Sequence, residues 1–338
     1  MDLHIFWFVT LGVLLTGYAI LDGFDLGVGV LHPIAKSDTE RRVVMNAIGP
    51  LWDGNEVWLV TFGGALFAAF PRAYATAFSG FYLPFMLLLF ALIFRAVSLE
   101  FRSKAKSPRW RATWDWAFFG ASFTAALLFG VAVGNTMTGM PIDADGRFVG
   151  STLDLLGPYP LMVGALTVAL FAMHGALYLS MKTEGDLHAR LQPWLWRTFG
   201  LFLVLYVLVT MFTLVKVPHA VAHFDEVPSL WVLVVLNVLA VANVPRAIHQ
   251  GRPLYAFVSS SATIAALVVL FGAALFPNLI GSTLNPEWSL TIYNASSSTE
   301  TLSLMRWIAL LGMPFVLTYT GIVYWVFRGK VKLGGDSY

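Results

Sequence analysis

The sequence predicts an all-α polytopic membrane protein with nine transmembrane helices. Three observations predict it. Apolar stretches of about twenty residues, the length one bilayer crossing needs, recur along the whole chain. Of 338 residues, 58% are hydrophobic and 12% charged, more apolar surface than a soluble core absorbs. The 21 Lys and Arg gather in alternate inter-helix segments, as membrane topology requires.

The first apolar run covers 5–31. Met1-Asp2-Leu3-His4 supplies no positive n-region and no small-residue cleavage site follows, so the run reads as a transmembrane helix rather than a signal peptide. The second, 50–70, opens on the polar Trp52-Asp53-Gly54-Asn55-Glu56 before turning apolar. The third, 77–99, carries Arg95 near its end, and the fourth, 115–137, opens on Asp115. The fifth, 158–181, holds His174; the sixth, seventh and eighth cover 195–216, 229–248 and 254–276, and none of these four has an acid in its interior. The longest loop, Pro277 to about Leu304, places Trp288 and Tyr293 where aromatic side chains suit an interface. The ninth run is 305–327, and eight crossings plus one is compatible with two four-helix units and an added helix.

With the N-terminus outside, the inner loops and the C-terminal tail hold Lys36, Arg41, Arg42, the Arg102–Arg111 cluster, Lys182, Arg190, Arg197, Arg246, Arg252, Arg328, Lys330 and Lys332. Only Arg72, Arg147, Lys216 and Arg306 fall outside. The positive-inside rule therefore puts the N-terminus outside and the C-terminus inside. The formal charge of +2 and the absence of a basic face leave no nucleic-acid footprint. With no Cys, disulfides, thiolate nucleophiles, iron–sulfur clusters and Cys-ligated zinc are excluded.

Orientation turns the ionisable residues into a map. Asp22 and Asp25 come late in an inward-running helix, Asp53 and Glu56 early in an outward-running one, and Arg95 and Asp115 flank the next inner loop. All approach the inner face. Asp22 with Asp25, and Asp53 with Glu56, are i, i+3 pairs that share a helix face. A charge at mid-membrane costs about 2.5 kcal/mol or more unless paired or wetted, so such a cluster suits a polar route relaying protons inward. Asp115 equally fits an N-terminal capping acid, Asp22 reads as an interfacial structural residue, and Arg95 either pairs with a carboxylate or snorkels to headgroups.

Glycines 23, 27 and 29, and Gly63 with Gly64, read as points of close helix approach. Trp52 and Trp58 flank Asp53 as rim aromatics. His4, His32, His188, His219, His223 and His249 fall at helix ends or in loops, and His174, alone within a span, reads as a packed, hydrogen-bonded residue rather than an axial haem ligand. The residues alone also admit a proton-coupled secondary transporter using Asp25 and Asp53, which requires broken helices in both halves, and a purely structural assembly partner whose acids cap and anchor.

A dense series of motifs narrows this. Leu21-Asp22-Gly23-Phe24-Asp25-Leu26-Gly27-Val28-Gly29, Asp38-Thr39-Glu40-Arg41-Arg42, Trp52-Asp53-Gly54-Asn55 and Gly63-Gly64-Ala65-Leu66-Phe67-Ala68-Ala69 are followed by Ala77-Phe78-Ser79-Gly80-Phe81-Tyr82, Phe94-Arg95, Phe101-Arg102-Ser103-Lys104 and Trp114-Asp115-Trp116. Phe257-Val258-Ser259-Ser260-Ser261 and the stretch from Asn294 to Leu302 continue the series. In these the chain resembles subunit II of the cytochrome bd-type quinol oxidases. The resemblance covers essentially the whole chain and departs from a common pattern at Glu56, where Gln is usual, and in a short loop between the sixth and seventh helices.

The resemblance implies two four-helix bundles plus one peripheral helix, with 1–140 the first bundle, 155–276 the second, 277–304 an outer loop and 305–338 the ninth helix and cytoplasmic tail. It implies a bacterial cytoplasmic-membrane complex that oxidises quinol and reduces O2 to water with cytoplasmic protons. Two haems b and one haem d would lie in a haem-bearing subunit I, none in this chain. Subunit I would be the partner, alongside membrane lipid and quinone, with room for a small single-helix accessory subunit. No catalytic residue or metal ligand is expected here. Asp53 beside Trp52, with Asp25 and Glu56, is implied as the proton pathway, and Asp25, Arg95 and Asp115 as the positions supporting haem stability and the partner interface.

Overall fold

The computed structural model describes residues 2–217, 220, 221, 224 and 227–334. Eight of its helices are long and apolar enough to cross a membrane. A ninth, α3 (Trp52–Ala69), is long enough but is made less apolar by Asp53, Asn55 and Glu56 in its first turns. In chain order the other spans are α1 (Leu3–Leu31), α5 (Tyr82–Phe101), α6 (Pro108–Thr138), α7 (Pro158–Lys182), α8 (Gly185–Lys216), α9 (Trp231–His249), α10 (Pro253–Leu275) and α11 (Thr299–Val326). Two shorter helices, α2 (Asp38–Ile48) and α4 (Pro71–Gly80), lie between spans.

The boundaries differ from expectation where polarity and helix formation diverge. The third run, 77–99, is split: α4 ends at Gly80 and α5 starts afresh at Tyr82. Pro84, in the first turn of α5, has no N–H to continue the ladder from α4, so the helix restarts there. The fourth run begins at Pro108, not 115, because the Ser107 hydroxyl caps the Trp110 N–H and Pro108 pre-sets the first turn. The sixth begins at Gly185, whose φ of +61° lets the chain reverse tightly after α7. Apolarity marks where a helix enters the membrane, not where it starts.

α1 is the axis of the molecule: α3, α6, α7, α10 and α11 all pack on it. α1, α3, α5 and α6 form one group, α7 to α10 a second, and α11 lies outside against α1 and α3. The groups meet along α6 and α7, and where α1 crosses α7 at Gly27 and Gly175. A methyl on Gly27 would stand 1.8 Å from the Phe171 carbonyl oxygen, so only glycine fits, as expected. Gly23 and Gly29 likewise lie against Phe171 and Ser122. At Gly63 and Gly64 no other part of this chain lies within 4 Å of a Cβ, so neither is a point of close approach within the chain itself.

The second group is joined by side-chain hydrogen bonds. His174 Nδ1 meets Ser260 Oγ at 2.6 Å, Asn243 donates to Ser259 Oγ at 2.7 Å, and Tyr206 donates to Asn237 Oδ1 at 2.6 Å. Each such bond between membrane helices contributes about 0.6 kcal/mol. The serine run quoted from the sequence is thus the seam on α10. At the opposite end from the acid cluster, the 277–304 loop is folded rather than open, with β1 (Asn278–Ile280) antiparallel to β2 (Leu290–Thr291). It closes over Trp7, Phe70, Phe81 and Met140, and the Ser297 N–H bonds the Ala69 carbonyl at 2.8 Å. Trp288 is half-buried and Tyr293 exposed on this cap.

Candidate functional site

The ionisable residues expected to form one inner-face cluster form two. The first is built by three helices. α1 runs unbroken past Asp22 and Asp25, and both are fully buried. α3 brings Asn55 and Glu56, and α5 brings Arg95, whose guanidinium is 0% exposed. Arg95 Nη1 stands 2.7 Å from Asp22 Oδ1, and Nη2 bonds Glu56 Oε1. Arg95 therefore pairs inside the bundle and does not snorkel. Asn55 donates to Asp25 Oδ2 at 2.8 Å and to the Leu21 carbonyl at 3.2 Å, and Tyr324 of α11 donates to Asn55 Oδ1 at 2.9 Å. Asp25 Oδ1 and the Tyr18 hydroxyl are buried without partners beside them.

Asp22 thus corrects the interfacial expectation. The i, i+3 spacing to Asp25 was its signal, since both project from one face toward Arg95. Asn55 stood in the Trp52-Asp53-Gly54-Asn55 motif, but Tyr324 had no local signal because it reaches the site from the far end of the chain. Asp53, on the outward side of α3, is exposed and outside the hydrogen-bonded cluster, one turn before Glu56. Trp52 is half-buried, whereas Trp58 is buried against Gly17 of α1.

The second cluster surrounds Asp115 at the same end. Asp115 lies two turns inside α6, so it is not a cap, and it does not meet Arg95. Arg102 donates from Nε to its Oδ1 at 2.6 Å, Arg41 from Nη1 to its Oδ2 at 2.8 Å, and His32 Nε2 contacts Oδ1 at 2.7 Å. Arg102 and Arg111 also bond Asp38, at 2.8 and 3.1 Å. Asp115 therefore ties α1, α2, α5 and α6 together where they leave the membrane. His32, a helix-end residue by sequence, is 1% exposed here. Beside it, the capping box of α2 is completed by Ser37 and Glu40. Burial pulls the Glu40 carboxyl up, but Arg190 of α8 and the N–H groups of Lys36 and Ser37 outweigh it and hold Glu40 below the ordinary glutamate value.

His174, the histidine within a span, does not fit an axial haem ligand. His174 is fully buried, its Nδ1 on Ser260, its Nε2 3.1 Å from the Ile20 carbonyl, its ring stacked on Phe257. Neither ring nitrogen is available to an iron. Among the described residues no three His, Asp or Glu side chains converge as metal ligands. His219 and His223 lie outside the described residues.

Fold and site together define a helical integral membrane protein that holds two carboxyls on one buried guanidinium, with a third buried carboxyl on Asn55 beside them, and carries no haem-ligating constellation in its described part. Residues 3–327 match the family model of cytochrome bd terminal oxidase subunit II, and the chain belongs to that family. It is 37% identical to cytochrome bd-I ubiquinol oxidase subunit 2 of Escherichia coli strain K12, over 97% of this chain and 95% of that one. It is 35% identical to cytochrome bd ubiquinol oxidase subunit 2 of Bacillus subtilis, over 98% and 97%. A chain in the structure of bd oxidase from Geobacillus thermodenitrificans shares the fold, with a TM-score of 0.78 at 19% identity, over 97% of this chain and 99% of that one.

Proposed function

We propose that the chain is the haem-free subunit of a cytochrome bd-type quinol oxidase, stabilising a haem-bearing subunit I and helping to bring protons to the oxygen-reducing site. The haems, held by the partner, supply the electron transfer and the O2 chemistry. One observation carries the role of this chain: Asp22 and Glu56 pair with the buried Arg95 guanidinium, while Asp25, one turn from Asp22, is buried with Asn55 as its donor and no ion pair of its own among the described residues. An excess of carboxyls over positive charge in a dry bundle is an arrangement able to take up and release a proton.

In this reading Asp53 collects protons at the surface beside Trp52, and Glu56, one turn further along α3, passes them to the Asp22–Asp25–Arg95 cluster. Asp115, bound by its arginines, holds the four helix ends in register, and Asp25, Arg95 and Asp115 support haem stability and the partner interface. The distribution of Lys and Arg supports an N-terminus outside, a C-terminus inside and proton uptake from the cytoplasm. The bundle limits 1–140 and 155–276, a structural lipid or quinone, and a small accessory subunit belong to the same proposal. A transporter would need broken helices in both halves; α1 and α3, which carry the acids, run continuously.

Affinity purification of the tagged chain in mild detergent, with mass spectrometry and a reduced-minus-oxidised spectrum, tests the assignment. A larger co-purifying partner with b and d bands is expected, and a colourless chain alone would overturn it. In that complex Asp53→Asn should slow quinol-driven O2 uptake at normal haem content; unchanged turnover removes Asp53 from the route.

A further inference from the structure

The arginines around Asp38 do more than neutralise their acids. A pocket of about 220 Å³ opens between α2 and the first turn of α6, lined by Asp38, Arg41, Arg102, Pro108, Arg111 and Ala112. Three guanidiniums meet there with two carboxylates, Asp38 and Asp115, so the set carries excess positive charge. Its donors are also in excess. Arg102 is 1% exposed, and its Nη1 is buried with no hydrogen-bond partner; Arg111 Nε is likewise unpartnered. A charged donor buried without a partner is destabilising, and because both side chains line the pocket, an acceptor that settles against them satisfies donors the protein leaves open.

We propose that this pocket binds a phosphate group, and that its occupant is the headgroup phosphate of an anionic membrane lipid. Phosphate has the oxygens and the charge that guanidinium forks fit, and the positive end of α6 adds to the attraction. The depth selects a lipid over free phosphate. The pocket lies where α5 and α6 leave their apolar stretches, and exposed Phe101, Trp110 and Trp116 lie beside it in sequence on those helices, an aromatic belt at headgroup level. A lipid phosphate held there would leave its acyl chains along the apolar outer surfaces of α5 and α6. The inference does not depend on the oxidase assignment, because it uses only residues of this chain.

The test is native mass spectrometry and lipid extraction on the purified complex, reconstituted in mixed phosphatidylcholine and phosphatidylglycerol vesicles. The intact complex should retain phosphatidylglycerol over phosphatidylcholine, and Arg111→Gln should weaken that retention about tenfold, the loss of about 1.4 kcal/mol. Arg111→Lys, which keeps the charge, should recover part of it. Arg246→Gln, at the same end of the molecule but outside the pocket, should change nothing. Equal retention of the two lipids, or no effect of Arg111→Gln in a folded complex, would overturn the proposal. Protection of the pocket by inorganic phosphate with no lipid retained would overturn the lipid assignment.

Discussion

Arg95→Ala removes the one positive charge inside the first cluster. Arg95 and Asp22 are both 0% exposed, whereas the Glu56 side chain is 24% exposed. Breaking a buried ion pair by deleting one partner costs about 3–5 kcal/mol, because the other charge is left uncompensated. Solvent near Glu56 screens its share, so the lower figure applies and the cost falls almost wholly on Asp22. About 3 kcal/mol corresponds to roughly two orders of magnitude in the folded-to-unfolded ratio. The assay is the thermal midpoint and haem-to-protein ratio of the purified complex. Both should fall in Arg95→Ala, and pairing it with Asp22→Asn should restore part of the loss by removing the stranded charge. An Arg95→Ala complex with unchanged midpoint and haem content would refute the reasoning.

Gly27→Ala should destabilise the protein by more than the 1–3 kcal/mol or so typical of overpacking, because the new methyl meets Phe171 backbone rather than a movable side chain; Gly200→Ala in α8, where nothing lies within 4 Å, should leave the thermal midpoint unchanged or raise it. The Glu40 carboxyl, held below its ordinary value of 4.5, contributes stability that is fully present at neutral pH and is lost as pH falls through its folded value. Thermal midpoints should therefore drop in acid, and Glu40→Gln should start lower and show a shallower drop; parallel curves for the two proteins would exclude the Glu40–Arg190 link.

The spans were legible because a membrane helix declares itself in twenty apolar residues, and α1, α7 and α10 fall within a few positions of expectation. α4 and α5 were not separable, since Ala77–Phe81 is as apolar as the helix it precedes and only Pro84 marks the restart. In the site, Arg95 and Asp25 were readable from charge in an apolar setting. Their partners were less so: Asp22 looked like a rim residue, and nothing local to Tyr324 points to Asn55, 269 positions away. Asp115 misled because the start of an apolar run resembles the start of a helix. His32 was hidden for the related reason that burial at a helix end depends on what packs over it, here Asp115 and Phe118 of α6.

The proton role of the buried carboxyl cluster is tested most directly by quinol-driven O2 uptake in an Asp25→Asn complex matched to the wild type in haem content and thermal midpoint. Asn preserves the shape of Asp25 and removes its ability to exchange a proton. The account predicts turnover reduced by an order of magnitude or more, on the scale of losing a positioned proton-transfer group. Wild-type turnover in such a complex would contradict it and leave Asp22, Asp25, Glu56 and Arg95 with a structural role alone.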